Sequence, residues 1–240
     1  MKIVDCFWEQ ANLDCRVAEV AINANETISP DTFQELENAY DYIVLKIPVG
    51  DFTSYEQVTK AQYTFIEAQL SIRKKMDNWN LSPMDKKLLS FFSAVEVTDK
   101  IEMEGILAKI SEKMFTTDRI YLDPTFGPEY SARRYRNWTR TAFEQGAILL
   151  KYLYKNQEIG YGLCKYENNV IHGLLGGAYE GEGMGFIVPT GVLFIKNRQF
   201  DWFKTKISSN NIPVLRLYNH FNFEITNVEY VFVKHINHNK

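Results

Sequence analysis

The sequence predicts a mixed α/β (α+β) fold: a central, mostly antiparallel sheet flanked by helices, plus a smaller N-terminal α/β unit. Three observations predict it. Segments with strand periodicity and segments with helix periodicity alternate along the 240 residues. A polar stretch, Asp77 to Lys87, separates two such series. The second series holds three consecutive strands joined by short turns, the pattern of antiparallel neighbours. The expected division is 1–90 for the smaller unit and 91–240 for the larger domain.

In the first series, Arg16 to Ile22 alternates as a strand does. Ser29-Pro30-Asp31 opens a helix, with a hydroxyl at the cap and proline at the first helical position. Tyr40 to Val49 is a strand centred on Tyr42-Ile43-Val44-Leu45. A short helix is expected near Ser54 to Gln62. Thr64 to Ile72 is the next strand, with Ile66, Ala68, Leu70 and Ile72 on one face. The linker follows, with Asn78, Asn80 and Ser82-Pro83 in it, and Leu88 to Ala94 leads into the second series.

There, Asp99-Lys100-Ile101-Glu102 resembles a capping box, and Ile106, Leu107, Ile110 and Met114 repeat at helical spacing behind it. Glu129 to Phe143 is a second helix. Ile148 to Tyr154, Glu158 to Tyr166 and Val170 to Leu175 are strands, with Asn156-Gln157 and Asn168-Asn169 marking the turns. A glycine-rich segment and an apolar stretch run to about Asn197. Because proline lacks an N–H, Pro189 sets the expected helix start near Pro189-Thr190. Trp202 to Ile207 is a strand, Ile212 to Phe221 a short helix, and Phe223 to Lys234 a closing strand pair.

Hydrophobic residues make up 45% and charged residues 24%, with 14 Tyr and 16 Phe, an ordinary globular balance with aromatics to fill a β-rich core. Net charge is −3 and the longest basic run is Arg73-Lys74-Lys75, which excludes a nucleic-acid surface. The start, Met1-Lys2-Ile3-Val4-Asp5, carries an acid where a secretory leader is apolar, and no apolar run approaches a membrane span of about 20 residues. The expected location is cytoplasmic. Cys6, Cys15 and Cys164 then read as packed thiols. The cysteines lack metal-ligand spacing and His172, His220, His235 and His238 are scattered, so no metal site is expected.

Three segments stand out: Glu158-Ile159-Gly160-Tyr161-Gly162-Leu163, Glu180-Gly181-Glu182-Gly183-Met184-Gly185, and Ser209 to Phe223. Together they resemble the GNAT acetyltransferase family. The first is similar to the family's I-x-G-Y-x-x-L strand, the second stands where the family has R/Q-G-x-G-x-G, and the third is similar to N-x-x-A-x-x-x-Y-x-x-x-G-F. The resemblance spans roughly Lys100 to Lys240. In the N-terminal half, Phe7-Trp8-Glu9-Gln10 with Leu13 to Ala18 is similar to the opening of dTDP-fucosamine acetyltransferases, as are Arg119 to Pro124 and Tyr135-Arg136-Asn137-Trp138.

The resemblance implies a GNAT fold and an acyltransferase that moves acetyl from acetyl-CoA to an amine. The implied acceptor is the amino group of a nucleotide-linked sugar destined for cell-surface polysaccharide; a homodimer is compatible. Another amine as acceptor, and a non-catalytic CoA-binding module, stay open as alternatives. It further implies that Leu174, Leu175, Gly176, Gly181, Glu182, Gly183, Met184, Gly185 and Asn211 bind acetyl-CoA. Glycines let backbone N–H groups approach a pyrophosphate closely, and a following helix N-terminus adds positive potential. Glu180 replaces the family's Arg or Gln and Glu182 adds a second acid, so both carboxylates must point to solvent for tight binding. An N–H at Leu175 is placed to stabilise an oxyanion. Tyr218 is the expected general acid toward the departing thiolate. Asn211 has two readings, helix cap or pantetheine ligand. The base stays open: His172 is a candidate, a water chain to a carboxylate would also serve, and Glu129, Tyr130 and Tyr135 are candidates for the acceptor pocket. Nothing in the sequence places a cation to activate Cys164, which favours direct attack over an acetyl-Cys route.

Overall fold

The structure, a computed structural model, describes residues 1–24, 26–77, 79, 81–179, 186–196 and 200–236. Its elements in chain order are β1 (Lys2–Asp5), a 3-10 turn (Phe7–Glu9), α1 (Gln10–Leu13), β2 (Val17–Ala21), α2 (Pro30–Ala39), β3 (Tyr42–Pro48), α3 (Phe52–Lys60), β4 (Thr64–Lys75), α4 (Pro83–Leu89), β5 (Phe92–Val97), α5 (Lys100–Lys109), α6 (Arg119–Leu122), α7 (Pro128–Glu144), β6 (Ile148–Tyr154), β7 (Gln157–Glu167), β8 (Val170–Ala178), α8 (Ile187–Ile195), β9 (Trp202–Ser208), α9 (Ile212–His220) and β10 (Glu224–His235).

Local chemistry accounts for most boundaries. The Ser29 hydroxyl accepts from the Thr32 N–H with Pro30 at the first position of α2. Asp99 accepts from the N–H groups of Ile101 and Glu102 at the start of α5. Left-handed φ values at Lys155 and Asn156 (48° and 66°) and at Asn168 and Asn169 (50° and 61°) make tight hairpin turns, so the first turn falls one residue earlier than Asn156-Gln157.

The ten strands among the described residues form one sheet in the order β1-β2-β3-β10-β4-β9-β8-β7-β6-β5. The pairs β2–β3 and β8–β9 are parallel and the rest antiparallel. The two halves of the chain repeat one plan, a parallel strand pair bridged by a helix, then a second helix and a long strand. Each half lends its long strand to the other. β10 lies between β3 and β4, and β4 lies between β10 and β9. The sheet therefore runs without a break across the expected boundary at residue 90.

One face of the sheet carries α2 and α3, where Phe33, Leu36 and Val58 pack on Ile43, Leu45 and Ile47, and α8 and α9, where Val192, Ile195 and Tyr218 pack on Ile171 and Phe203. The opposite face carries α5, α6 and α7 over Leu149, Tyr161, Leu163, Val44 and Val231. Helices on both faces bury both faces of β3, which is why its sequence is nearly continuously apolar.

Four expectations are corrected. The linker region contains α4, closed by a capping box in which Ser82 and Asp85 satisfy each other's N–H groups. α8 begins at Ile187, with Pro189 as its third residue, where the missing N–H would have had no partner within the helix. The segment from Phe223 to Lys234 is one long strand rather than a pair, and β4 fills the place of the second strand. Strand β8 runs on past Leu175 to Ala178.

Candidate active site

The parallel pair β8–β9 holds together only at Val170↔Trp202, Ile171↔Phe203 and His172↔Lys204. Beyond His172 the strands diverge. On its other edge β8 pairs with β7 through a bulge: Leu163 faces Leu175 and Cys164 faces Gly173, so Leu174 is the extra residue. The bulge bends β8 at the point where β9 leaves it. The result is a slot through the sheet, bordered on one side by a strand edge that has lost its ladder partner.

A cavity of about 1450 Å³ occupies this slot and is lined by residues from both faces of the sheet. Glycines allow its walls to pack closely. A Cβ on Gly176 would lie 2.7 Å from the Tyr161 carbonyl oxygen and 2.9 Å from the Gly162 Cα. A Cβ on either Gly162 or Gly191 would overlap the Tyr152 hydroxyl, so the phenol of β6 is threaded between β7 and α8.

On the α8–α9 face the wall includes Tyr152, Cys164, Thr205 and Tyr218. Tyr218 is buried and packs on Phe223 at 4.8 Å between ring centroids. Burial pushes its phenol above the ordinary tyrosine value, and a hydrogen bond with Thr205 offsets only part of the rise. The Thr205 hydroxyl itself donates to the Gly173 carbonyl at 3.0 Å, which ties β9 to β8 where the slot begins. Tyr218 therefore stays protonated at neutral pH, as a proton donor must. Asn211 caps α9, accepting from the Val214 N–H at 3.3 Å, and also lines the cavity. At the start of α8, Phe186 offers no side-chain cap and the first turn has no acidic residue. The loop residues Gly181, Glu182, Gly183, Met184 and Gly185, with Glu180, lie outside the described residues.

On the opposite face, Leu174, Leu175, Gly176, Phe115, Tyr135 and Trp138 form the apolar wall, and His172 also borders the cavity. Glu129 and Tyr130 are not part of its lining; Tyr130 packs instead with Phe126. Beyond this wall is a polar cluster that sequence reasoning missed. Arg134 of α7 donates to Glu9 at 2.7 Å, and Asn12 donates to the other Glu9 oxygen at 2.9 Å. Lys46 of β3 donates to Glu19 of β2 at 2.6 Å. Burial pushes the Glu19 carboxyl up, but Lys46 and Arg119 outweigh it and hold the group below the usual carboxylate range. Glu67 of β4 is 4% exposed and borders the same cavity. In each strand the signal was a lone charged residue in apolar surroundings, which burial against a partner explains only once the sheet order is known.

No protein-family model and no curated protein matches the sequence. Solved structures do match in shape. A GCN5-related N-acetyltransferase from Sphaerobacter thermophilus superimposes with a TM-score of 0.59 over 82% of this chain and 60% of that one, at 11% identity. The fold is the GNAT fold. A tandem GNAT protein from the clavulanic acid biosynthesis pathway matches over 94% of this chain and 79% of its own, with a TM-score of 0.53 and 10% identity. A GCN5-related glucosamine N-acetyltransferase region of a fungal multi-domain GH3 β-N-acetylglucosaminidase gives a TM-score of 0.57 at 10% identity, over 80% of this chain and 25% of that protein. The GNAT likeness is thus one of architecture across most of this chain, while this chain spans three fifths of the Sphaerobacter protein. No helix among the described residues is long and apolar enough to cross a membrane. No cluster of His, Cys, Asp and Glu among them could hold a metal ion.

Proposed function

We propose that the chain transfers acetyl from acetyl-CoA to an amine, with the amino group of a nucleotide-linked sugar as acceptor. The observation that carries this reading is the slot between β8 and β9, which offers unpaired main-chain groups to an extended ligand and has a buried, protonated phenol on its wall. The fit to acetyl-CoA is chemical. A pantetheine arm carries amides that can complete the open edge of β8, and the bulge at Leu174 turns N–H groups away from the β7 ladder. The Gly181–Gly185 loop and the start of α8 are assigned to the pyrophosphate.

In this scheme the Leu175 N–H stabilises the oxyanion that forms when the amine nitrogen attacks the thioester carbonyl. Collapse breaks the C–S bond, and Tyr218 gives its proton to the leaving thiolate. The products are the N-acetylated amine and CoA. The acceptor enters from the face opposite Tyr218, where exposed Phe7 and Trp8 border the cavity beside Asn12 and Asn137. Aromatic faces and side-chain amides are the groups that hold sugar and base rings. A cytoplasmic site of action follows from this reading, since nucleotide-linked sugars are made there.

The test is CoA release from acetyl-CoA against a panel of dTDP- and UDP-linked amino sugars and simple primary amines, paired with calorimetry of acetyl-CoA binding. Release that depends on an amino sugar supports the reading. Release with simple amines alone moves the acceptor to another amine. Binding without release for any amine assigns a non-catalytic CoA-binding module instead.

A further inference from the structure

Among the described residues four carboxylates border the cavity: Glu9, Glu19, Glu67 and Asp118. Three are committed. Glu9 is paired with Arg134 at 2.7 Å, and Glu19 with Lys46 at 2.6 Å. Asp118 accepts from the Ile120 N–H at 3.2 Å and the Ser131 hydroxyl at 3.2 Å, with Arg134 at 3.9 Å. Glu67 alone among them has no cation within 4.0 Å among the described residues; the Ser208 hydroxyl lies beside it and favours its charged form.

Its position is specific. Gln69, two residues along β4, pairs with Ser208, the last residue of β9, and Glu67 pairs with Val231 of β10. The Ser209 N–H donates to the Ala68 carbonyl at 2.7 Å and fixes the end of β9 against this part of β4. Since β8 and β9 part at Gly173 and diverge toward Ser208, Glu67 stands at the wide end of the slot. Its side chain shares the face of Lys46 and Val231, the face opposite Tyr218.

We propose that Glu67 is the general base that takes a proton from the acceptor ammonium. This rests on the acetyl-transfer reading above. An amine reaches the site protonated and must lose two protons to become an amide. Glu67 takes one before attack and passes it to solvent. The other is released on attack and replaces the proton that Tyr218 gives to the thiolate, so the sum is amide, CoA thiol and one proton to water. The charges that face Glu67 are Asp118 and Arg119 from α6 and its cap and Lys46 from β3. Burial raises its carboxyl and is the dominant influence; Ser208, Arg119 and Lys46 oppose it and Asp118 adds to it. A carboxylate raised toward neutrality is a better proton acceptor than one held low by an ion pair.

The test uses the full chain, acetyl-CoA and the best acceptor from the amine panel. Glu67→Gln should lower kcat/KM by about 10²- to 10⁴-fold near neutral pH. The deficit should narrow as pH rises through the acceptor's own pKa, because the free amine then arrives without help. Acetyl-CoA affinity by calorimetry should be unchanged. In wild type, ¹³C NMR of glutamate carboxyls should show one resonance, missing from Glu67→Gln, that titrates above the usual carboxylate range. Ser208→Ala should move the acidic limb of the kcat/KM profile to higher pH, since it removes a hydrogen bond that lowers the Glu67 pKa. A deficit constant at all pH values, an unchanged rate in Glu67→Gln, or a resonance titrating in the ordinary range overturns the assignment. If wild type itself turns over no amine, the acetyl-transfer reading fails and the base assignment fails with it, a result told apart by the inactive parent.

Discussion

Tyr218 and Gly176 define the slot at the residue scale. Tyr218→Phe keeps the ring packed on Phe223 and removes only the hydroxyl. It should lower kcat for CoA release by about 10²-fold or more while leaving the calorimetric affinity for acetyl-CoA unchanged. The glycines make a paired prediction. Gly176→Ala drives a methyl against backbone atoms of Tyr161 and Gly162 at 2.7 and 2.9 Å, which cannot rotate away. At Gly177 the same methyl meets side-chain atoms of Met114 and Phe115 at 3.4 and 3.5 Å, ordinary contact. Denaturant unfolding should therefore show Gly176→Ala destabilised by about 1–3 kcal/mol and Gly177→Ala near wild type. Tyr218 and Leu174 to Gly176, named from the motifs, line the cavity. Tyr152, Glu67 and the Glu9–Arg134 pair were not legible in the sequence. Nothing local distinguishes a phenol or carboxylate aimed into a slot from one aimed at water until the strand order brings its neighbours together.

At the scale of elements, helices with strong caps were legible and their starts fell close to the structure, as at Ser29 and Asp99, although α5 ends at Lys109, short of Met114. α4 was not, because its polar composition reads as a connector and it is short. What holds it is the Ser82–Asp85 capping box and the contact of Asp85 with His220 of α9 at 2.8 Å. The Ser82 hydroxyl and His220 hold the Asp85 carboxyl below its usual range. Since the folded value is depressed, the unfolded chain binds the extra proton first. The contribution is thus present above the ordinary aspartate range and is lost as pH falls through the lower folded value. Thermal melts of Asp85→Asn against wild type should therefore differ at neutral pH and converge in acid. A constant difference down to low pH would remove Asp85 as the source. The reach of β8 beyond Leu175 was also hidden, because Gly176 and Gly177 read as a loop signal while in the sheet Gly176 marks close approach to β7.

On the scale of the whole molecule, the exchange of β4 and β10 makes one sheet out of two similarly ordered halves. The sequence carried the order of elements but not this exchange. Both long strands alternate in the same way, and periodicity does not say which neighbour a strand will choose. The exchange has a structural consequence, since it brings Glu67 from the first half beside Ser208 from the second. In the proposed reaction acetyl-CoA completes the open edge of β8. Amide hydrogen exchange with and without acetyl-CoA should then show new protection at Leu174 to Gly177 and none in the fully paired β2–β3 ladder; acetyl-CoA that binds yet leaves exchange at Leu174 to Gly177 unchanged would contradict that placement.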